Sequence, residues 1–113
     1  MKIAIPTAND KLCMHFGHCE KFALVEINDS DKSILSTAYA SPPAHEPGVL
    51  PRWLHEQGAG MIIAGGMGQR AQALFVQNGI EVIVGAAAGG TPEELVSAYL
   101  KDALEVGENI CDH

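Results

Sequence analysis

The residues Met61-Ile62-Ile63-Ala64 are apolar without interruption, and Gly65-Gly66-Met67-Gly68 follows them directly. A strand with one wet face alternates apolar and polar side chains, whereas a short unbroken run fits a strand buried on both faces. Such a strand needs neighbours on both edges and helices above and below, which restricts the chain to a layered α/β architecture. The flanking sequence supplies those layers. Residues 49–57 read as a helix with Leu50, Trp53 and Leu54 on one stripe, Pro51 tolerated in the first turn and Gly58 to close it. Residues 69–77 read as a second helix ended by Asn78-Gly79, and Glu81-Val82-Ile83-Val84 as a further buried strand. Thr91-Pro92-Glu93-Glu94 places an N-cap threonine, a first-turn proline and a capping-box glutamate ahead of a stripe formed by Leu95, Val96, Tyr99, Leu100 and Ala103.

The first half of the chain has a different rhythm. Residues 2–6 form an apolar run that Pro6 is expected to end, and residues 22–27 and 33–40 make a hairpin around Asn28-Asp29-Ser30-Asp31. Residues 41–48 contain Pro42, Pro43 and Pro47, which excludes a regular interior element. The order is strand, loop, strand, strand, loop, then alternating helices and strands. It predicts an α/β fold with a mixed five-stranded sheet carrying helices on its faces. A single domain over residues 1–104 is expected, with residues 105–113 as a flexible tail without periodicity. No apolar run approaches the roughly 20 residues that cross a bilayer. The start of the chain lacks a signal-peptide pattern, so a cytoplasmic location is expected. Fourteen acidic residues against seven basic ones give a formal net charge of −7. That balance argues against nucleic acid or a membrane surface as partner.

Chemistry concentrates in Cys13-Met14-His15-Phe16-Gly17-His18-Cys19. Thiolate and imidazole are the protein groups that best hold soft and borderline transition metals. The spacing is not the CxxC of a zinc ribbon or a thioredoxin-type motif, yet Gly17 permits the sharp reversal that lets a loop wrap a metal. Zinc, copper(I), or an iron- or molybdenum-sulfur species would each suit Cys13, His15, His18 and Cys19 as ligands. The odd count of three cysteines fits free thiols or ligands in a reducing compartment better than a disulfide framework. The turn formed by Gly65, Gly66, Met67 and Gly68 leads from a buried strand into a helix, where backbone N–H groups form an anion site. A tight turn without a ligand explains the same glycines, and Arg70 reaches either the anion or solvent. His45, in the proline-rich loop, is a better ligand candidate than His55 on a helix. Cys111 and His113 would make a terminal hook, with a frayed end as the competing account. Glu26 and Glu81 are the acids on the strands, and they do not form the paired-carboxylate centre of a hydrolase.

Several pieces in order carry a family resemblance. They are Met1-Lys2-Ile3-Ala4-Ile5-Pro6, His15-Phe16-Gly17 before a strand, His45 and Gly48 before a helix, and Ile63-Ala64-Gly65-Gly66-Met67-Gly68. Gly79-Ile80 through Gly85 and Thr91-Pro92-Glu93-Glu94 complete the set. Together they resemble the dinitrogenase iron-molybdenum cofactor family, small domains related to nitrogenase cofactor carriers and to the orange protein of sulfate reducers. The resemblance implies a ribonuclease H-like three-layer α/β/α fold without nuclease activity. It also implies non-catalytic binding, carrying or storage of a molybdenum- or iron-containing sulfide cluster, with a cluster-donating or cluster-receiving protein as partner. His15, Gly17, His45 and residues 65–68 map to the family's cluster-facing side. One departure stands out: many members carry a basic residue after His-Phe-Gly, where this chain has His18 and Cys19. Direct coordination is therefore expected in place of an electrostatic cradle. A protein-interaction or regulatory module of the same fold, or a simple zinc or copper site, are the alternatives.

Overall fold

Side chains along the central strands alternate between two separate cores. The computed structural model describes residues 2–8, 11–12, 21–28, 30–41, 49–85 and 91–101. Its strands are β1 (Lys2–Ala8), β2 (Lys11–Leu12), β3 (Lys21–Asn28), β4 (Ser33–Ala40), β5 (Ala59–Ile63) and β6 (Glu81–Ile83). The helices are α1 (Val49–Glu56), α2 (Gln69–Gln77) and α3 (Pro92–Leu100). The strand order is β4-β3-β1-β5-β6, with β2 paired to β1 off that path. The β1–β3 and β3–β4 pairs are antiparallel, and the β1–β5 and β5–β6 pairs are parallel. This is the expected mixed sheet of five main strands.

Ala4, Phe22, Leu24 and Ile62 face one way and join Leu50 and Leu54 of α1 and Phe75 of α2 in one cluster. Ile3, Ile5, Ala23, Val25, Met61 and Ile63 face the other way and pack with Leu95 and Val96 of α3. The period of two in a strand sends neighbours to opposite faces, so one sheet serves both cores. The result is three layers: α1 and α2, the sheet, then α3.

Three sequence expectations need correction. Pro6 does not end β1. It lies opposite Phe22 of β3 and past the last β1–β5 pair, Ala4 with Ile62, so its missing N–H removes nothing from that parallel ladder. β6 is not a buried strand: it spans three residues at the sheet edge, with Glu81 exposed and Val82 and Ile83 half-buried. β5 begins at Ala59, two residues earlier than the apolar run. The tail and Ala103 lie outside the described residues.

Helix ends follow the sequence closely. At the end of α2 the Gly79 N–H donates to the Val76 carbonyl and the Ile80 N–H to the Phe75 carbonyl, both at 3.0 Å. Gly79 has φ +76°, and Phe75 and Ile80 are both buried in the α1/α2 core, as a Schellman closure with its apolar contact requires. At the start of α3 the Thr91 hydroxyl accepts the Glu94 N–H at 3.2 Å and donates to Glu94 Oε1 at 2.9 Å. Pro92 occupies the first turn, where a missing N–H costs nothing.

Candidate metal-cluster site

Thr7 fixes the geometry of the site. It pairs with Lys21 of β3 on one side and with Leu12 of β2 on the other. β3 occupies one edge of β1, so β2 must lie on the β5 side, beyond the point where the β1–β5 ladder stops at Ala4. Leu12 and Lys21 therefore stand about 10 Å apart, two strand spacings, astride the carboxyl end of β1. The Thr7 hydroxyl donates to the Lys21 carbonyl at 3.0 Å, which ties β1 to the point where the chain re-enters β3. Thr7 is also the one buried polar or charged residue among those described.

Residues 13–20 join these two anchors. Cys13, His15, Gly17, His18 and Cys19 lie outside the described residues, as do His45, Cys111 and His113. All three cysteines and four of the five histidines are in that position. Among the described residues no group of three or more His, Cys, Asp or Glu side chains could hold a metal ion. His55 is exposed on α1.

Topology brings four connections to this one edge. β1, β5 and β6 run parallel and end here, β3 starts here, and Ala40 at the end of β4 pairs with Phe22. Segments 9–20, 41–48, 64–68 and 84–91 thus all leave or enter the sheet along the same rim. The open edge at the carboxyl ends of parallel strands is the usual binding location in such sheets.

The 65–68 turn is described in full. The Ala64 N–H donates to the Ile83 carbonyl at 2.8 Å and the Gly85 N–H to the Gly65 carbonyl at 3.0 Å, lacing this turn to the segment after β6. The Gln72 side-chain amide donates to the Met67 carbonyl at 2.9 Å. Gly65, Gly66 and Met67 are buried, and the Met67 side chain is part of the α1/α2 core. Met67 can therefore face a ligand through its backbone alone.

Gly68 is the informative position. It is the N-cap of α2, with φ −65° and ψ 154°, a conformation open to any residue. Among the described residues, a Cβ added there would meet nothing within 4 Å. Neither its backbone nor its packing against the described residues calls for glycine, and Ser, Thr, Asp or Asn would cap the helix better. Gly68 brings no side chain to cap α2, and the first turn holds no acid but does hold Arg70, which is exposed. A cation beside the positive end of a helix is unfavourable for the helix itself. The same arrangement is favourable to an incoming anion.

Sequence reasoning missed β2 and the double pairing of Thr7. Two residues give too little periodicity for a strand, and the one available signal was a threonine interrupting an apolar run.

The family model for dinitrogenase iron-molybdenum cofactor matches residues 1–102. The chain belongs to that family. An uncharacterised protein of Methanocaldococcus jannaschii is 35% identical over 109 residues, covering 93% of this chain and 90% of the relative. The crystal structure of PH0822 superposes on this family member with a TM-score of 0.85 at 26% identity, over 96% of this chain and 98% of that one. The apo form of the orange protein from Desulfovibrio gigas gives 0.72 at 21% identity, over 96% and 93%, a likeness of fold. No described helix is long and apolar enough to cross a membrane.

Proposed function

We propose that this protein binds and carries an anionic metal-sulfide cluster containing molybdenum, iron or both, without transforming it. The observation that carries this reading is the placement of Leu12 and Lys21, the described residues flanking 13–20, astride the end of β1, on the same rim as the α2 start, whose first turn holds no acid. Cys13, Cys19, His15 and His18 act as ligands, with Gly17 allowing the loop to reverse and His45 at the rim. The amides of Gly65, Gly66, Met67 and Gly68 hydrogen-bond sulfide or oxo groups of the cluster. Membership of the dinitrogenase iron-molybdenum cofactor family supports this cargo class, and the cluster passes between a donor and an acceptor protein in the cytoplasm.

The two strand carboxylates lie away from the candidate rim. Glu26 pairs with Lys2 and Glu81 opens β6, so both sit at the sheet edge opposite the loops. Neither belongs to a paired-carboxylate centre at the candidate rim. The net charge of −7 opposes an anionic ligand, so local amide donors and metal-ligand bonds have to outweigh it.

Anaerobic reconstitution with iron and sulfide, or with thiomolybdate, should give a coloured complex with charge-transfer absorption. The Cys13→Ala/Cys19→Ala double variant should lose it. No absorption in the wild type, or full absorption in the double variant, would refute direct coordination. Elemental analysis of protein purified without air separates molybdenum and iron from zinc or copper.

A further inference from the structure

At the end of the sheet opposite the candidate rim, a cavity separates the β3–β4 turn from the end of α3. Residues 31–34 form one wall, and Ser97, Leu100 and Lys101 form the other. Its volume of about 360 Å³ falls within the roughly 300–1,000 Å³ of small-molecule sites. Ile34 and Leu100 also pack against the α3 core, which holds the apolar part of the lining in place. Charge in this lining runs against the balance of the molecule. A chain of net charge −7 puts two ammonium groups here, Lys32 and Lys101, against one carboxylate. That carboxylate is occupied: Asp31 Oδ1 accepts the Ser33 N–H at 3.1 Å and the Ser33 hydroxyl at 2.6 Å. Both lysines are exposed, and among the described residues no carboxylate pairs with either ammonium.

Lys101 has an ordinary explanation, since a cation is favourable at the C-cap of a helix. Lys32 does not. It is the one non-glycine residue with positive φ among those described, at +55°. Glycine or asparagine takes that conformation with less strain. The Lys32 N–H closes the turn on the Asn28 carbonyl at 2.8 Å, a bond that any residue but proline supplies. Strain held at a residue lining a cavity is a pointer to function. We propose that this cavity binds a small phosphate monoester. Its phosphoryl dianion takes the Lys32 and Lys101 ammonium groups and the Ser97 hydroxyl, and its organic body lies against Ile34 and Leu100. Lysine meets phosphate as a point charge, whereas a carboxylate is best met by an arginine fork, which this lining lacks. An adjoining hollow shares Ile34, Ser97 and Lys101 and adds Glu93 and Glu94, acids that turn the phosphoryl group toward Lys32.

Titration of the full chain with phenyl phosphate at low salt, followed through amide chemical shifts, tests this. The shifts should saturate at residues 31–34 and 97–101. Lys32→Gly should weaken binding about tenfold or more, the loss of one charge-assisted contact. The same variant should melt no lower than the wild type, because glycine takes the left-handed conformation freely. Lys101→Gln should weaken binding similarly. Arg52→Ala removes the same charge from an exposed position on α1, in the opposite layer, and should leave binding unchanged. Benzoate, a monoanion with the same ring, should bind about tenfold more weakly. Absence of saturable binding, shifts confined to residues 65–68, binding unaffected by Lys32→Gly, equal loss in Arg52→Ala, or benzoate bound as tightly would each overturn the proposal.

Discussion

The two ends of the sheet are built on opposite plans. At one end the connections are short and closed by their own chemistry. Gly58 and Gly79, at φ +91° and +76°, end α1 and α2. In the β3–β4 turn Asn28 Oδ1 accepts the Ser30 N–H at 2.9 Å and the Asn28 carbonyl accepts the Lys32 N–H at 2.8 Å. At the other end the segments are longer and hold the cysteines Cys13 and Cys19, three histidines and the glycine turn before α2. Tight turns fix register and helix exits. Long connections on a rigid scaffold carry binding groups. Stability is thus expected to reside in the layers and the closed end, and cargo binding at the open one.

Substitutions can break that division. The largest expected effect is in the layers: Phe75→Ala removes a fully buried ring. It should cost about 3–5 kcal/mol in denaturant unfolding, and cluster binding should survive in whatever fraction stays folded. Next is the closed end. Gly79→Ala forces a side chain into the left-handed region and should cost about 1 kcal/mol, with no change in cluster absorption at full folding. The smallest change in stability belongs to the open end. Gly68→Asp supplies an N-cap and a favourable helix-dipole charge, and should raise stability by a few tenths of a kcal/mol. It should nevertheless weaken thiomolybdate binding measurably, because a carboxylate then stands where the anion is held. Weakened folding with unchanged binding in Gly68→Asp would erase the distinction between the two ends.

Much of this layout was legible beforehand. Gly58, Asn78-Gly79 and Thr91-Pro92 announce helix ends because each supplies a backbone requirement locally. β4 was legible end to end, since Ser33 and Ala40 bound an unbroken strand-forming stretch. What escaped depends on partners distant in sequence. Whether Pro6 ends a strand is decided by the reach of the β5 ladder, and the exposure of β6 by its place at the sheet edge. The site shows the same limit. The glycine turn and its helix were found from sequence, but the burial of the Met67 side chain and the anchoring role of Thr7 arise only from packing and pairing.

The Phe22–Trp53 contact has an optical consequence. The rings meet edge-on, with centroids 5.8 Å apart and planes at 65°, and Trp53 is the chain's single tryptophan. Phe22 follows Lys21, where the 13–20 segment rejoins the sheet, so the indole sits beside the rim without belonging to it. A chromophore held there would accept excitation from the indole and dim its emission. Fluorescence should therefore fall as thiomolybdate is added to the wild type and stay constant in the Cys13→Ala/Cys19→Ala variant. The protein would then report its own loading without any label.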